Sequence, residues 1–152
     1  MNNVTFRNLT KEDLKFLNYP IHSLNNHSLK VIITQNEYDK EIEKIIGYII
    51  IDDVRLSLTI NEYDNENLNR YKSNINNTPS YLLREIYINE NYREEGILEE
   101  LFDKVSHSLP HTSIIWYKET ELRNKDLIKQ IGGFVSLPYG IDDDIYVFSY
   151  LC

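Results

Sequence analysis

The chain has 152 residues, a length that suits one domain spanning 1–152, and its 41% apolar and 26% charged residues supply a core and exclude disorder throughout. A formal net charge of −8 with Lys and Arg scattered along the chain excludes nucleic acid as the expected partner and favours a cationic one, an amine carried by a small molecule or a protein. The lone Cys152 excludes an internal disulfide and a cysteine metal cluster; no apolar run reaches about eighteen residues and no leader opens the chain, so a soluble, cytoplasmic protein without membrane contact is expected.

Val4 to Arg7 alternates as a short strand. Thr10-Lys11-Glu12-Asp13 then opens a helix, with Thr10 as N-cap and Asp13 in the capping-box place, and Tyr19-Pro20 ends it. Leu29 to Gln35 reads as a second strand. Ile45 to Ile51 is a third, apolar almost without a break, as a central strand buried on both faces would be. Asn36 to Lys44 joins them as a hairpin connection. Val54 to Ile60 alternates strictly; it either extends the third strand past a bulge at Asp52-Asp53 or forms a strand of its own. Asn61 to Ser80 is rich in Asn, Asp and Glu and reads as a surface loop, with a helical turn around Glu66 to Tyr71.

Tyr81 to Ile88 is the next strand, Asn89 to Gly96 a polar bend, and from Ile97 a helix follows, with Leu98, Leu101, Phe102 and Val105 at helical spacing. Ser108-Leu109-Pro110 stops that helix. Ser113 to Tyr117 is a strand, Glu121 to Ile131 an amphipathic helix stopped by Gly132-Gly133, and Phe134 to Leu137 and Ile145 to Tyr150 form a closing antiparallel pair. The order predicts an α/β fold around one mixed sheet.

The strand, bend and helix from Tyr81 to His107 point a helix's free N–H groups and positive dipole end at one small volume, which suits a phosphate. Glu85, inside that strand on a face read as shared with Leu83 and Tyr87, would have its pKa raised by burial; it either accepts a proton from an ammonium group or pairs with Arg84 or a neighbouring cation. Other constellations carry less. His107 and His111 have metal-like spacing, but Pro110 breaks the helix between them, so no metal site is expected. Asp142-Asp143-Asp144 reads as a solvated run that could also attract an amine, and His22 and His27 sit in a polar loop.

The spacing Arg93-x-x-Gly96-x-Leu98, after Tyr87-Ile88 and Tyr92, resembles the acyl-coenzyme A loop of the GNAT N-acetyltransferase superfamily, in which Leu98 stands where a Gly or Ala is usual. Asn124 and Gly132-Gly133-Phe134 resemble that superfamily's ending, so the likeness covers about the last two thirds of the chain. It implies a GNAT-like mixed, mostly antiparallel central sheet flanked by helices on both faces, and transfer of an acetyl group from acetyl-CoA to an amine. Coenzyme A would thread beside Ile86, Tyr87 and Ile88, with its pyrophosphate on the amides of Arg93, Glu94, Glu95, Gly96, Ile97 and Leu98, and with Asn124 nearby. The two carboxylates of Glu94 and Glu95 would oppose that polyanion. Glu85, near the splay of the fourth and fifth strands, would be the base. The superfamily's helical tyrosine, four residues before the Gly of Gly-Phe, is replaced by Lys129 or Ile128 depending on the glycine counted, which leaves Tyr117 or Tyr139 as the acid. The short stretch between Pro20 and Leu29 leaves the acceptor side more open than the superfamily's second helix would. The alternative is a GNAT-shaped binding or regulatory module without catalysis, associating as a homodimer through its aromatic surface.

Overall fold

The computed structural model describes residues 4–10, 12–13, 29–36, 43–60, 69, 72, 75–93, 96–110, 112–136 and 145–149. Among the described residues seven strands form one sheet: β1 (Val4–Asn8), β2 (Leu29–Asn36), β3 (Glu43–Asp52), β4 (Ser80–Ile88), β5 (Ile114–Lys118), β6 (Val135–Ser136) and β7 (Ile145–Ser149). Their order is β1-β2-β3-β4-β5-β7-β6, and every neighbouring pair is antiparallel except β4–β5. The helices whose bounds fall among the described residues are α1 (Leu56–Ile60), α2 (Ile97–Ser108) and α3 (Lys125–Ile131).

The apolar stripe of α2 dictates its place. Leu98, Leu101, Phe102 and Val105 bury against Ile49, Leu83, Ile86, Ile88 and Ile115 of the sheet, and Leu127 and Ile128 of α3 join the same core. On the opposite side Leu82, Ile114, Trp116 and Val147 form a second cluster with Leu56 of α1 and with Ile75. Successive residues split between the two clusters, Leu82 from Leu83 and Trp116 from Tyr117, as the period of two in a strand requires.

The strict alternation from Val54 to Ile60 does not make a strand; Leu56–Ile60 is helical. The backbone groups a strand would offer to a neighbour are used otherwise. Val54 N donates to Asp52 O at 2.8 Å, the Trp116 indole N–H donates to Val54 O at 2.9 Å, and Leu56 N donates to Ser80 Oγ at 2.8 Å. The segment read as a surface loop likewise contributes to the interior, because Ile75 is buried. Asn69, Lys72 and Ile75 are helical, while the rest of the helical turn expected around Glu66 to Tyr71 lies outside the described residues.

The last helix is shorter than its apolar spacing suggests. Asn124 has φ +60°, which no helix interior accepts, so Glu121 and Leu122 turn back on the carbonyl of Lys118 and α3 begins at Lys125. At the other end of the chain the capping box forms in a variant. Asp13 accepts from the Thr10 backbone N–H at 2.7 Å and from its hydroxyl at 2.9 Å, and Arg7 adds a two-pronged pair at 2.8 and 2.9 Å. The remainder of that first helix, the stretch between Pro20 and Leu29 apart from Leu29 itself, and the 37–42 connection lie outside the described residues.

Candidate functional site

Strands β4 and β5 pair only over Ser80–Leu82 and Ile114–Trp116. Beyond that point β4 keeps its partner β3 as far as Ile88, and β5 keeps β7 as far as Lys118, so the two inner edges part. A bulge adds to the splay. Ile51 pairs with Leu83 and Ile50 with Glu85, which leaves Arg84 without a partner in the register. Arg84 is pinned there by a 2.7 Å bond from its Nε to the buried carboxylate of Asp52. A cleft of about 190 Å³ opens where the strands part, between Leu82–Glu85 of β4, Lys118 at the end of β5, and Glu121 and Arg123 of the turn that follows.

Glu85 lines this cleft at 3% exposure. The face expected to be shared by Glu85, Leu83 and Tyr87 needs correction at Leu83; Glu85 and Tyr87 do share one. Leu83 packs in the main core with Ile86 and Ile88, whereas Glu85 stands opposite Ile50, which packs with Tyr48 and Tyr87. The extra residue at Arg84 reverses the alternation and turns Glu85 to the face of Leu82. The partner of Glu85 is also not Arg84 but Arg123, whose Nη2 and Nε donate to Oε2 at 2.9 and 3.2 Å. Oε1 has no partner among the described residues. Burial raises the Glu85 pKa, and the bonds and charge of Arg123 oppose that rise.

The bend after β4 is held by local bonds. Asn89 N donates to Ile46 O at 2.7 Å, Asn89 Oδ1 accepts from Asn91 N at 3.0 Å, and a 3₁₀ turn covers Glu90–Tyr92. Arg93 reaches back, donating from Nε to Ile88 O at 2.9 Å and from Nη1 to Asp126 Oδ2 at 3.3 Å. Asn124 donates from Nδ2 to Ile86 O at 2.9 Å. Arg93 and Asn124 therefore satisfy two carbonyls at the end of β4, and Arg93 ties that end to the start of α3.

Gly96 begins α2 in the left-handed region at φ +73°, and Glu100 N donates to its carbonyl at 3.2 Å. The amides of Ile97, Leu98 and Glu99 lie ahead of that first helical bond, as the opening amides of any helix do. Leu98 packs into the core at 1% exposure. Glu99 and Glu100 occupy the first turn and are exposed, a placing that already suits the helix dipole. Glu94 and Glu95 lie outside the described residues, as do Tyr139, His111 and Asp142-Asp143-Asp144.

Tyr117 is not brought to the Glu85 cleft. It sits in the main core, stacked on Tyr146 with ring centroids 5.3 Å apart, and lines a separate hollow of about 210 Å³ beside α3. Burial, together with Glu119 and Tyr146, pushes its phenol pKa up to about 12. Lys118, Arg123 and the Arg84–Asp52 pair are the site residues that sequence reasoning missed. The bonds of Arg123 to Glu85 and of Arg84 to Asp52 join positions more than thirty apart, and no local spacing announces such a meeting.

No protein-family model and no curated protein matches the sequence. Solved structures do resemble it. A tyrosine-to-phenylalanine mutant of KacT superposes with TM-score 0.59 at 12% identity, over 97% of this chain and 95% of that one; a chain of the KacTA–DNA complex gives 0.55 at 11%, over 96% and 92%. A mutant AtaT toxin, bound to the C-terminus of the antitoxin AtaR and to acetyl-CoA, gives 0.53 at 14%, over 97% and 93%. The ribosomal-protein-S18-alanine N-acetyltransferase of Escherichia coli gives 0.51 at 16%, over 96% and 93%. The chain has the fold of the GNAT N-acetyltransferases.

Proposed function

We propose that the protein is an acyl-coenzyme A dependent N-acyltransferase that acts as a single domain in the cytoplasm, moving an acetyl group from acetyl-CoA to an amine. The observation that carries this reading is the parting of β4 and β5 beyond Leu82 and Trp116, which exposes a buried carboxylate, Glu85, within a small cleft. The acetyl-CoA in the AtaT structure and the N-acetyltransferase activity in the name of the Escherichia coli protein support it. The DNA of the KacTA complex belongs to that assembly, and this acidic chain is not proposed to bind nucleic acid.

The residues present fit the cofactor. The amides of Ile97 and Leu98 lead a twelve-residue helix, and a Cβ built on Gly96 would meet nothing within 4 Å, so no described side chain packs on that glycine. Gly96 and these amides would hold the pyrophosphate, while Arg93 and Asn124 brace the β4 end against which the rest would lie. The bound thioester supplies an electrophilic carbonyl. Glu85 takes one proton from the acceptor ammonium, directly or through a water. The freed nitrogen lone pair forms the C–N bond as the C–S bond breaks; the electron pair leaves on sulfur, and a second nitrogen proton ends there by way of solvent. Tyr117 takes no part, because its phenol lines a different hollow.

Acetyl-CoA at millimolar concentration is expected to raise the melting temperature by several degrees, since a hundredfold excess over Kd adds about 2.7 kcal/mol. It is also expected to perturb amide signals of residues 86–98. A flat response in both measurements would leave the binding-module alternative in place of the enzyme.

A further inference from the structure

The chain carries a net charge of −8, yet three cations, Arg84, Lys118 and Arg123, meet only two carboxylates, Glu85 and Glu121, around the cleft. Two of those cations are engaged: Arg84 with Asp52, and Arg123 with Glu85. Lys118 is half-buried and has no ion-pair partner among the described residues. Its backbone is fixed, because its carbonyl accepts from both Glu121 N and Leu122 N at 3.1 Å and its strand pairs with β7 at Ile145. Alternation along β5 places Lys118 on the same face as Trp116, which is the face of Leu82 and, after the bulge, of Glu85. Among the described residues the cleft therefore presents two unmet demands on one side of the sheet: a carboxylate oxygen, Glu85 Oε1, without a donor, and an ammonium, that of Lys118, without an anion.

One small molecule meets both. Resting on the acyltransferase reading above, we propose that the acceptor is a small zwitterion of the α-amino acid class, its amine received by Glu85 and its carboxylate by Lys118. The size agrees. A cleft of about 190 Å³ that opens to solvent admits the polar head of an amino acid and leaves larger side chains to project outward. The overall negative charge by itself would favour a diamine. The lysine at the cleft wall is the feature that penalises one, since a second ammonium would face it across a confined space. Glu121 at the exposed rim is the counter-pull, and the measurement below separates the two.

The test compares L-serine and L-leucine with their amides and with putrescine. It uses the intact protein and two readouts: thiol release from acetyl-CoA, and ligand-detected NMR binding in the absence of acetyl-CoA. The free amino acids are expected to exceed their amides at least tenfold in kcat/KM and in binding. Lys118→Met should remove that preference by raising KM for the amino acids while the values for the amides stay within twofold, and Lys118→Arg should restore it. Equal handling of acids and amides, a preference for putrescine, or a uniform loss across all acceptors in Lys118→Met would overturn the proposal. Lysine-dependent amino-acid binding without an acetyl-CoA melting shift would sustain the site and defeat the acyltransferase reading. The reverse pattern would do the opposite.

Discussion

Glu85 combines two opposing influences: a strand interior that disfavours its charge, and an arginine that favours it. The result is a carboxylate whose pKa lies above the ordinary glutamate value and whose Oε1 has no partner among the described residues. In the proposed role of base it would work only when ionised, so the rate should rise with pH through that raised pKa. Glu85→Gln is expected to lower kcat by about 10²- to 10⁴-fold and to abolish the acidic limb of the profile. Arg123→Gln should move that limb to higher pH, because one of the two influences is gone; steady-state rates between pH 5 and 9 check both. Tyr117 makes a useful control. Its hydroxyl has no hydrogen-bond partner among the described residues, so Tyr117→Phe is expected to leave kcat and the unfolding midpoint unchanged within twofold and about 0.5 kcal/mol.

At the level of elements, the β4–bend–α2 unit joins core packing to the cleft. The same stripe that buries Leu98, Leu101 and Val105 presses α2 on the sheet and sets where its first amides stand. Gly96→Ala isolates the turn. With no atom within 4 Å of a Cβ there, the cost is backbone strain alone, about 1–2 kcal/mol for a left-handed alanine, read from the urea midpoint. Leu101→Ala should cost more, about 2–5 kcal/mol, because it opens a cavity where the side chain is fully buried. The two variants should also differ in kind. The alanine at position 96 should weaken acetyl-CoA binding with little change in the core, whereas the cavity variant should lose stability first.

Across the whole molecule the acid response is set by groups pulling in opposite directions. The Arg7 guanidinium beside Asp13, helped by Thr10, holds its carboxyl well below the ordinary value of about 3.9. Stability from that group is therefore complete above about pH 4 and is lost as pH falls through the depressed pKa. Glu85 has the opposite sign: its raised pKa gives stability that is present at low pH and lost as pH rises past the ordinary glutamate value. Asp13→Asn should lower stability at pH 7 by about 1.5–3 kcal/mol and flatten the acid-unfolding limb below pH 4, measured by chemical denaturation at several pH values. No helix among the described residues is long and apolar enough to cross a membrane.

Periodicity and turn chemistry, which act within about ten residues, were enough to read most strands, α2 and the Gly96 turn from the chain alone; the order of those elements gave an α/β fold around one mixed sheet, and the GNAT shape came only from the resemblance at Arg93-x-x-Gly96 and Gly132-Gly133-Phe134. Local alternation failed at two places. Val54 to Ile60 made no strand, with Leu56–Ile60 helical instead, because Ser80 and Trp116 claimed its backbone, and Glu85 changed faces because one unpaired residue at Arg84 reversed the count. The chemistry of the cleft depends on meetings across the sheet: Arg123 with Glu85, Arg84 with Asp52, and Lys118 on the wall facing them. Such meetings are decided only when strands pair in a definite register, since the energy that selects the partner of a buried charge does not exist until burial has occurred.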